Sequence, residues 1–159
     1  MRRLAVFILL LLITCGSDIP SQLKPLLILP EDLSPHLGIG NFEDLPVLMF
    51  GKLPPNQGYA YRRFLRTGSG SGGVAVMLYD NEDVRKNVYE TVLDNMIRED
   101  SRPEPDIGEQ SAIVSSDELP EIVFIRCRAV VHIRMYGIAE DIVYYAKRLD
   151  SRITPIVCA

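Results

Sequence analysis

Two spacings of apolar residues recur along the chain, and they predict where helices and strands lie. After Asp80 and Asn81, either of which is a favourable N-cap, apolar residues return every three or four positions. This is the spacing of one helix face. The stripe consists of Val84, Val88, Tyr89, Val92, Leu93 and Met96. We therefore expect a first main helix whose apolar face is buried in the core.

A second main helix is predicted near the C-terminus, from residue 138 to about residue 152. Acidic residues lie near its start and basic residues near its end, as the helix dipole favours. Its apolar face consists of Ile138, Ile142, Tyr145 and Leu149. The remaining residues, ITPIVC, are expected to form a tail.

The segment EIVFIRCRAVVHIRMYG is apolar over a length that does not fit one strand. Straight, its residues 121 to 136 would run over about 50 Å at ~3.3 Å each, too long for a small domain. Folded as a hairpin about Cys127 and Arg128, it places Glu121 opposite Arg134, a favourable cross-strand pair. The predicted buried face, under both main helices, carries Ile122, Phe124, Val131, Ile133 and Met135, and the other face carries His132 and Arg134.

The remaining strand-like runs complete the prediction of the fold. GYAYRRFLR and GGVAVMLYD are joined by the glycine-rich TGSGSG, which is typical of a hairpin. GEQSAIVSS reads as a further strand, and KPLLILPEDL and DLPVLMF as short ones. The order of strands, helix, three strands and helix predicts an α+β fold. We expect an antiparallel sheet of about five to six strands with two main helices packed against it.

The N-terminal stretch MRRLAVFILLLLITCGSD has the pattern of a signal peptide. Arg2 and Arg3 precede ten apolar residues, whereas a membrane-spanning helix needs about 20. Cleavage after Gly16 would release a secreted protein. Leu12-Ile13-Thr14-Cys15 instead resembles the bacterial lipobox, although Thr14 replaces the usual Gly, Ala or Ser, and this resemblance implies cleavage before a lipidated Cys15. We favour the lipid and expect a signal peptide over 1–14, a lipidated tether over 15–25 and one extracytoplasmic domain over 26–159.

Several segments together resemble a family of small, largely uncharacterised bacterial secreted lipoproteins. The resemblance covers roughly residues 74 to 153 and is carried by YDNEDV, IGEQSA, IVFIRCRAVVHIRMYG and AKRLDSRI, with LLILPEDLSP similar to the opening of the same proteins. Cys127 stands where that family usually has a Gly or polar turn residue. The resemblance implies a ligand-binding or sensor-like module and carries no catalytic residue.

Charge and motif content argue against several function classes. Removal of the predicted signal peptide, which contains Arg2 and Arg3, leaves 15 basic and 21 acidic residues. A nucleic-acid-binding surface is instead expected to be rich in basic residues. Neither His36 nor His132 has a second metal-binding residue at the spacing of a known metal motif. No serine lies in a sequence motif typical of a catalytic nucleophile. We therefore expect no nucleic-acid partner, no metal, no cofactor and no enzymatic activity.

Basic residues on two predicted strands form the one candidate binding patch. If these strands are neighbours in the sheet, the patch would receive a small anionic ligand or an acidic protein partner. Ordinary exposed sheet charge is the competing interpretation. The patch consists of Arg62, Arg63, Arg66, Arg126, Arg128, Arg134 and Tyr136, with Tyr59 and Tyr61 beside it.

The two cysteines that remain besides Cys15 are predicted to pair. The strand after the hairpin turn runs about 23 Å away from Cys127, and the last helix returns about 22 Å, which brings Cys158 near the turn. Two unpaired thiols are the alternative. We expect a lipid-anchored, non-catalytic binding or sensor-like protein of the bacterial cell envelope. A structural scaffold for a membrane complex and an enzyme without a recognisable motif are the alternatives.

Overall fold

The computed structural model of the protein describes residues 19–27, 29, 41–45, 59–66, 71–96, 101–114, 119–136 and 142–159. Within these ranges, the side chains of residues 19, 20, 24, 41–45, 59–66, 71 and 136 are not described. The helices are α1 (Ile19–Leu23), α2 (Glu82–Asn95) and α3 (Ile142–Val157), and a 3₁₀ turn spans Lys24–Leu26. Cys15 and His36 lie outside the described residues.

The strands form one antiparallel sheet, and the predicted α+β fold class is confirmed. The described strands are β1 (Asn41–Leu45), β2 (Tyr59–Arg66), β3 (Ser71–Leu78), β4 (Ser101–Arg102), β5 (Gln110–Val114), β6 (Glu121–Arg126) and β7 (Ala129–Tyr136). Their order across the sheet is β1-β2-β3-β7-β6-β5-β4. The described sheet thus has seven strands, slightly more than expected, and its edges are the five-residue β1 and the two-residue β4.

The central hairpin has the predicted register. Cys127 and Arg128 form the turn between β6 and β7, and Glu121 pairs with Arg134. Cys127 has a φ of 49°, a conformation that glycine adopts far more readily. The hairpin forms with a cysteine there because the buried strands on both sides hold the turn in place. The predicted buried face is confirmed for Ile122, Phe124, Val131, Ile133 and Met135.

The two main helices lie on opposite faces of the sheet, which differs from the expectation that both cover one face. The face carrying Phe124 packs against α3, together with Tyr145 and Leu149. The other face carries Val123 and packs against α2. Strands β6 and β7 are apolar on both sides because each side is covered by a helix. The result is a three-layer arrangement with the sheet in the middle.

Both predicted helices form, but α3 continues further than expected. In α2, Asn81 caps the helix by accepting a hydrogen bond from the Val84 backbone N–H at 3.0 Å. In α3, the buried spacing continues through Ile153 to Val157, so the helix includes Pro155 and the expected tail up to Val157. Burial of these two residues outweighs the hydrogen bond that a proline removes from the last turns.

The N-terminal part of the domain packs into the α3 core. Leu23 and Leu27 are fully buried in the same cluster as Leu149. The described part of the predicted tether over 15–25 therefore contributes to the core, and the domain extends before residue 26.

The predicted disulfide between Cys127 and Cys158 is confirmed, with a Cα–Cα distance of 5.2 Å. It joins the hairpin turn to the last residues after α3. For a loop of 31 residues, the chain-entropy argument gives a stabilisation of about 3–4 kcal/mol. The bond therefore holds two elements together that the sequence separates.

Replacement of Phe124 by alanine should lower the free energy of unfolding by about 3–5 kcal/mol, because a fully buried ring leaves a cavity in the core. Phe124→Leu is the matched control and should cost clearly less. Chemical denaturation followed by circular dichroism measures both. A loss below about 1 kcal/mol for Phe124→Ala, a size typical of surface sites, would contradict the register.

Candidate functional site

A buried carboxylate at the C-terminal half of α3 connects three parts of the chain. Asp150 is 4% exposed. The Arg126 Nε donates to its Oδ1 at 2.7 Å, and the Arg126 Nη2 donates to its Oδ2. The Gly108 backbone N–H also donates to Oδ2, at 3.1 Å. We call Gly108, Glu109, Arg126, Cys127 and Asp150 the Asp150 network.

The loop before β5 reaches this network because of its backbone shape. Gly108 has a φ of 61°, and a Cβ at this position would collide with the carbonyl oxygen of Ile125. Only glycine fits that approach. The next residue, Glu109, donates its backbone N–H to the Ile125 carbonyl at 2.7 Å, and its Oε1 accepts from the Cys127 backbone N–H at 2.8 Å. Glu109 therefore supports the turn that carries the disulfide.

A second polar centre lies on the opposite face of the sheet and consists of Glu121, His132 and Arg134, here called the Glu121 triad. The Glu121 Oε2 lies 3.0 Å from the His132 Nε2, and its Oε1 lies 2.8 Å from the Arg134 Nη2. Glu121 and His132 are buried, although the sequence predicted His132 on the face away from the core. Burial alone raises the pKa of Glu121, but His132 and Arg134 together outweigh it and lower that pKa.

The chemistry of these two centres is that of internal ion pairs. A carboxylate beside an imidazole is a common acid–base pair, but catalysis requires a reacting group within about 3 Å of it. In both centres the charged atoms bond to each other inside the fold. Across the described ranges, no three or more His, Cys, Asp and Glu side chains group as metal ligands would.

The structure does not bring the described arginines of the predicted basic patch together on one face. The Arg126 side chain pairs with Asp150 on the α3 side of the sheet, whereas Arg134 pairs with Glu121 on the other. Arg128 lies in the hairpin turn, 3.4 Å from Asp80. Each of the three is thus partly neutralised by a carboxylate.

The rest of the predicted patch lies on strand β2 and at the end of β7. Strand β3 separates β2 from β7, so the two elements share a sheet without being direct neighbours. Arg62, Arg63 and Arg66 pair through their backbones with Ala75, Val74 and Ser71. Their side chains, with those of Tyr59, Tyr61 and Tyr136, lie outside the description, and this part of the patch stays a prediction.

Two surface depressions adjoin the Asp150 network at Glu109. The larger has a volume of about 540 Å³ and is lined by residues 103–111, which include Glu104, Asp106 and Glu109. The smaller, of about 190 Å³, lies between Glu109 and the first turns of α2 at Arg85 and Lys86. Both are therefore bordered by charged side chains.

The sequence did not single out the Asp150 network, although its residues lie in three of the segments that carry the family resemblance. Gly108 and Glu109 belong to IGEQSA, Arg126 to the hairpin and Asp150 to AKRLDSRI. The signal that could have found Asp150 is an acidic residue on the predicted last helix between the apolar Leu149 and Ile153. Its partner Arg126 lies 24 residues away, so no local pattern linked the two.

Comparisons with known proteins assign no family to the chain. No protein-family model, curated protein or solved structure matches the chain. None of the helices in the described ranges is long and apolar enough to cross a bilayer.

Replacement of Arg126 by methionine should lower the free energy of unfolding by about 3–5 kcal/mol, because it leaves the buried Asp150 carboxylate without its cation. Lys86→Met is the control, since it removes an ion pair between Lys86 and Glu82 that is exposed to solvent. The control should unfold like the parent protein in urea. Equal effects of the two substitutions would mean that the Asp150 pair adds nothing to stability.

The Glu121 triad should make the protein less stable in acid. Its carboxylate has a lower pKa in the folded than in the unfolded state, so the unfolded state binds more protons as the pH falls. The stability contributed by Glu121 is full above the usual glutamate range near 4.5 and is lost as the pH falls through the lower folded value. Urea unfolding measured at several pH values should show this slope.

The Glu121→Gln variant should flatten the acid slope, because residue 121 can then no longer take up a proton. Glu90→Gln, which changes an exposed carboxylate on α2, is the control and should keep it. An unchanged slope in Glu121→Gln would exclude the triad as its source.

Proposed function

We infer that the chain is an exported, lipid-anchored binding module of the bacterial cell envelope, without catalysis of its own. The observation that carries this proposal is the disulfide between Cys127 and Cys158. Disulfides persist in oxidising compartments and are rare in the cytosol. A signal-peptide pattern that ends at Cys15 agrees with that compartment, and a lipid on Cys15 would keep the domain at the membrane.

The binding interpretation is supported over the scaffold by the described surface. The surface depression lined by residues 103–111 offers a small ligand an open, concave surface with charged side chains at its border. A scaffold would instead need an exposed apolar patch. Among residues whose exposure is described, Tyr144 is the large apolar side chain that stands out, at 58%. One tyrosine is too small a surface for that role.

We propose that the protein has no catalytic activity because its buried polar side chains are engaged with one another. The buried Glu121, His132 and Asp150 are all engaged in ion pairs within the fold. Each pair joins different elements of the domain, which fits a role in stability. A ligand would therefore be bound at the surface around Glu109, next to a rigid network.

Mass spectrometry of the protein purified from bacterial membranes should find an N-terminal peptide that begins at Cys15 and carries diacylglycerol. The C-terminal cysteines should resist alkylation until a reductant is added. Cys15→Ser is the control and should lose the lipid while keeping the disulfide. A mature protein that begins at Ser17 and appears in the medium would contradict the anchor, and two thiols that react without reductant would contradict the oxidising compartment.

A further inference from the structure

The position of α1 limits how far the domain can stand from a lipid on Cys15. Ile19, the first residue of α1, follows Cys15 by four residues, which span at most about 14 Å when fully extended. From Ile19 to Leu23, the helix rises about 6 Å. The lipid-bearing residue therefore lies within about 20 Å of Leu23.

Leu23 belongs to the layer of the domain that contains α3. It is fully buried in the cluster with Tyr145 and Leu149 of α3, and α1 contacts α3 directly. The sheet and α2 lie on the other side of this cluster, each adding a layer of about 10 Å. The outer surface of α2 is thus at or beyond the reach of the chain from Cys15, whereas α3 lies well within it.

The outer face of α3 has the composition of a membrane-interface surface. Tyr144 is 58% exposed, and Arg148 lies one turn further, with its Nη1 donating to the Tyr144 hydroxyl at 3.2 Å. Lys147 is also exposed, and its Nζ lies 3.8 Å from the Oδ2 of Asp106 in the loop before β5. The acidic residue of this helix is Asp150, and it is buried in its ion pair with Arg126. Tyrosine, lysine and arginine suit the headgroup layer, where their apolar parts meet lipid and their polar ends meet phosphate.

The exposed surface of α2 has the opposite charge. Its two basic residues, Arg85 and Lys86, are outnumbered by acidic ones. The exposed acidic residues of α2 are Glu82, Asp83, Glu90 and Asp94. Anionic headgroups would repel this surface and attract that of α3.

We propose that the outer face of α3, with Tyr144, Lys147 and Arg148, lies against the phospholipid headgroups of the membrane that anchors the chain. This orientation rests on the proposed lipid at Cys15. It directs α2 and the smaller depression, beside Lys86, away from the membrane, where a soluble ligand can reach them. The larger depression borders the α3 face through Asp106, the partner of Lys147.

Fluorescence of single tryptophans tests this orientation, because the chain contains no tryptophan of its own. The full lipid-modified protein with Tyr144→Trp is reconstituted in vesicles of phosphatidylethanolamine and phosphatidylglycerol, with part of the lipid brominated near the top of the acyl chains. Bromine should reduce its emission, and the spectrum should be shifted to shorter wavelength. Asn87→Trp, at an exposed position on α2, is the control and should keep its emission and wavelength.

Flotation of the same vesicles separates the anchor from the orientation. Protein that stays at the bottom of the gradient would overturn both. Protein that floats, with Tyr144→Trp unquenched or with both variants quenched equally, would leave the anchor in place and overturn the orientation. Floating protein with quenching confined to Tyr144→Trp supports the proposal.

Discussion

The buried carboxylate of Asp150 holds three separate parts of the domain to one another. It binds the Arg126 side chain from the central hairpin and the Gly108 backbone from the loop before β5, and it lies on α3 itself. A buried carboxylate has a large desolvation cost, which is recovered only when its partners are correctly placed. The loop, the hairpin and the last helix must therefore take their relative positions together, and this requirement also places the disulfide and the surface around Glu109.

Hydrophobic burial supplies the framework in which this ion pair can form. The central strands β3, β7 and β6 carry apolar side chains on both faces, such as Phe124 towards α3 and Val123 towards α2. Two apolar clusters result, one on each side of the sheet. The charged centres lie at the borders of these clusters, with the Asp150 network beside the α3 cluster and the Glu121 triad on the α2 side. The carboxylates of both centres, Asp150 and Glu121, are buried at these positions.

The parts of the structure that follow from local lengths and spacings were predictable. The strand after the hairpin turn and the helix that returns have nearly equal lengths, so Cys158 was expected near Cys127, and the disulfide confirms this. The position of the turn at Cys127 and Arg128 likewise predicted the pairing of Glu121 with Arg134. The placement of α2 on the second face was missed, although the unbroken apolar run IVFI indicated a strand buried on both sides. The Asp150 network was missed because its contacts join residues that no periodic pattern relates.

The disulfide closes β7 and α3 into a covalent ring that runs from Cys127 to Cys158. A single cut of the backbone inside a ring leaves its two halves joined by the sulfur bridge. A protease that cleaved the connection between β7 and α3 would therefore not release the helix, and the buried side chains of α3 would keep it in place. One break in the backbone of this ring therefore leaves the domain a single covalently connected molecule.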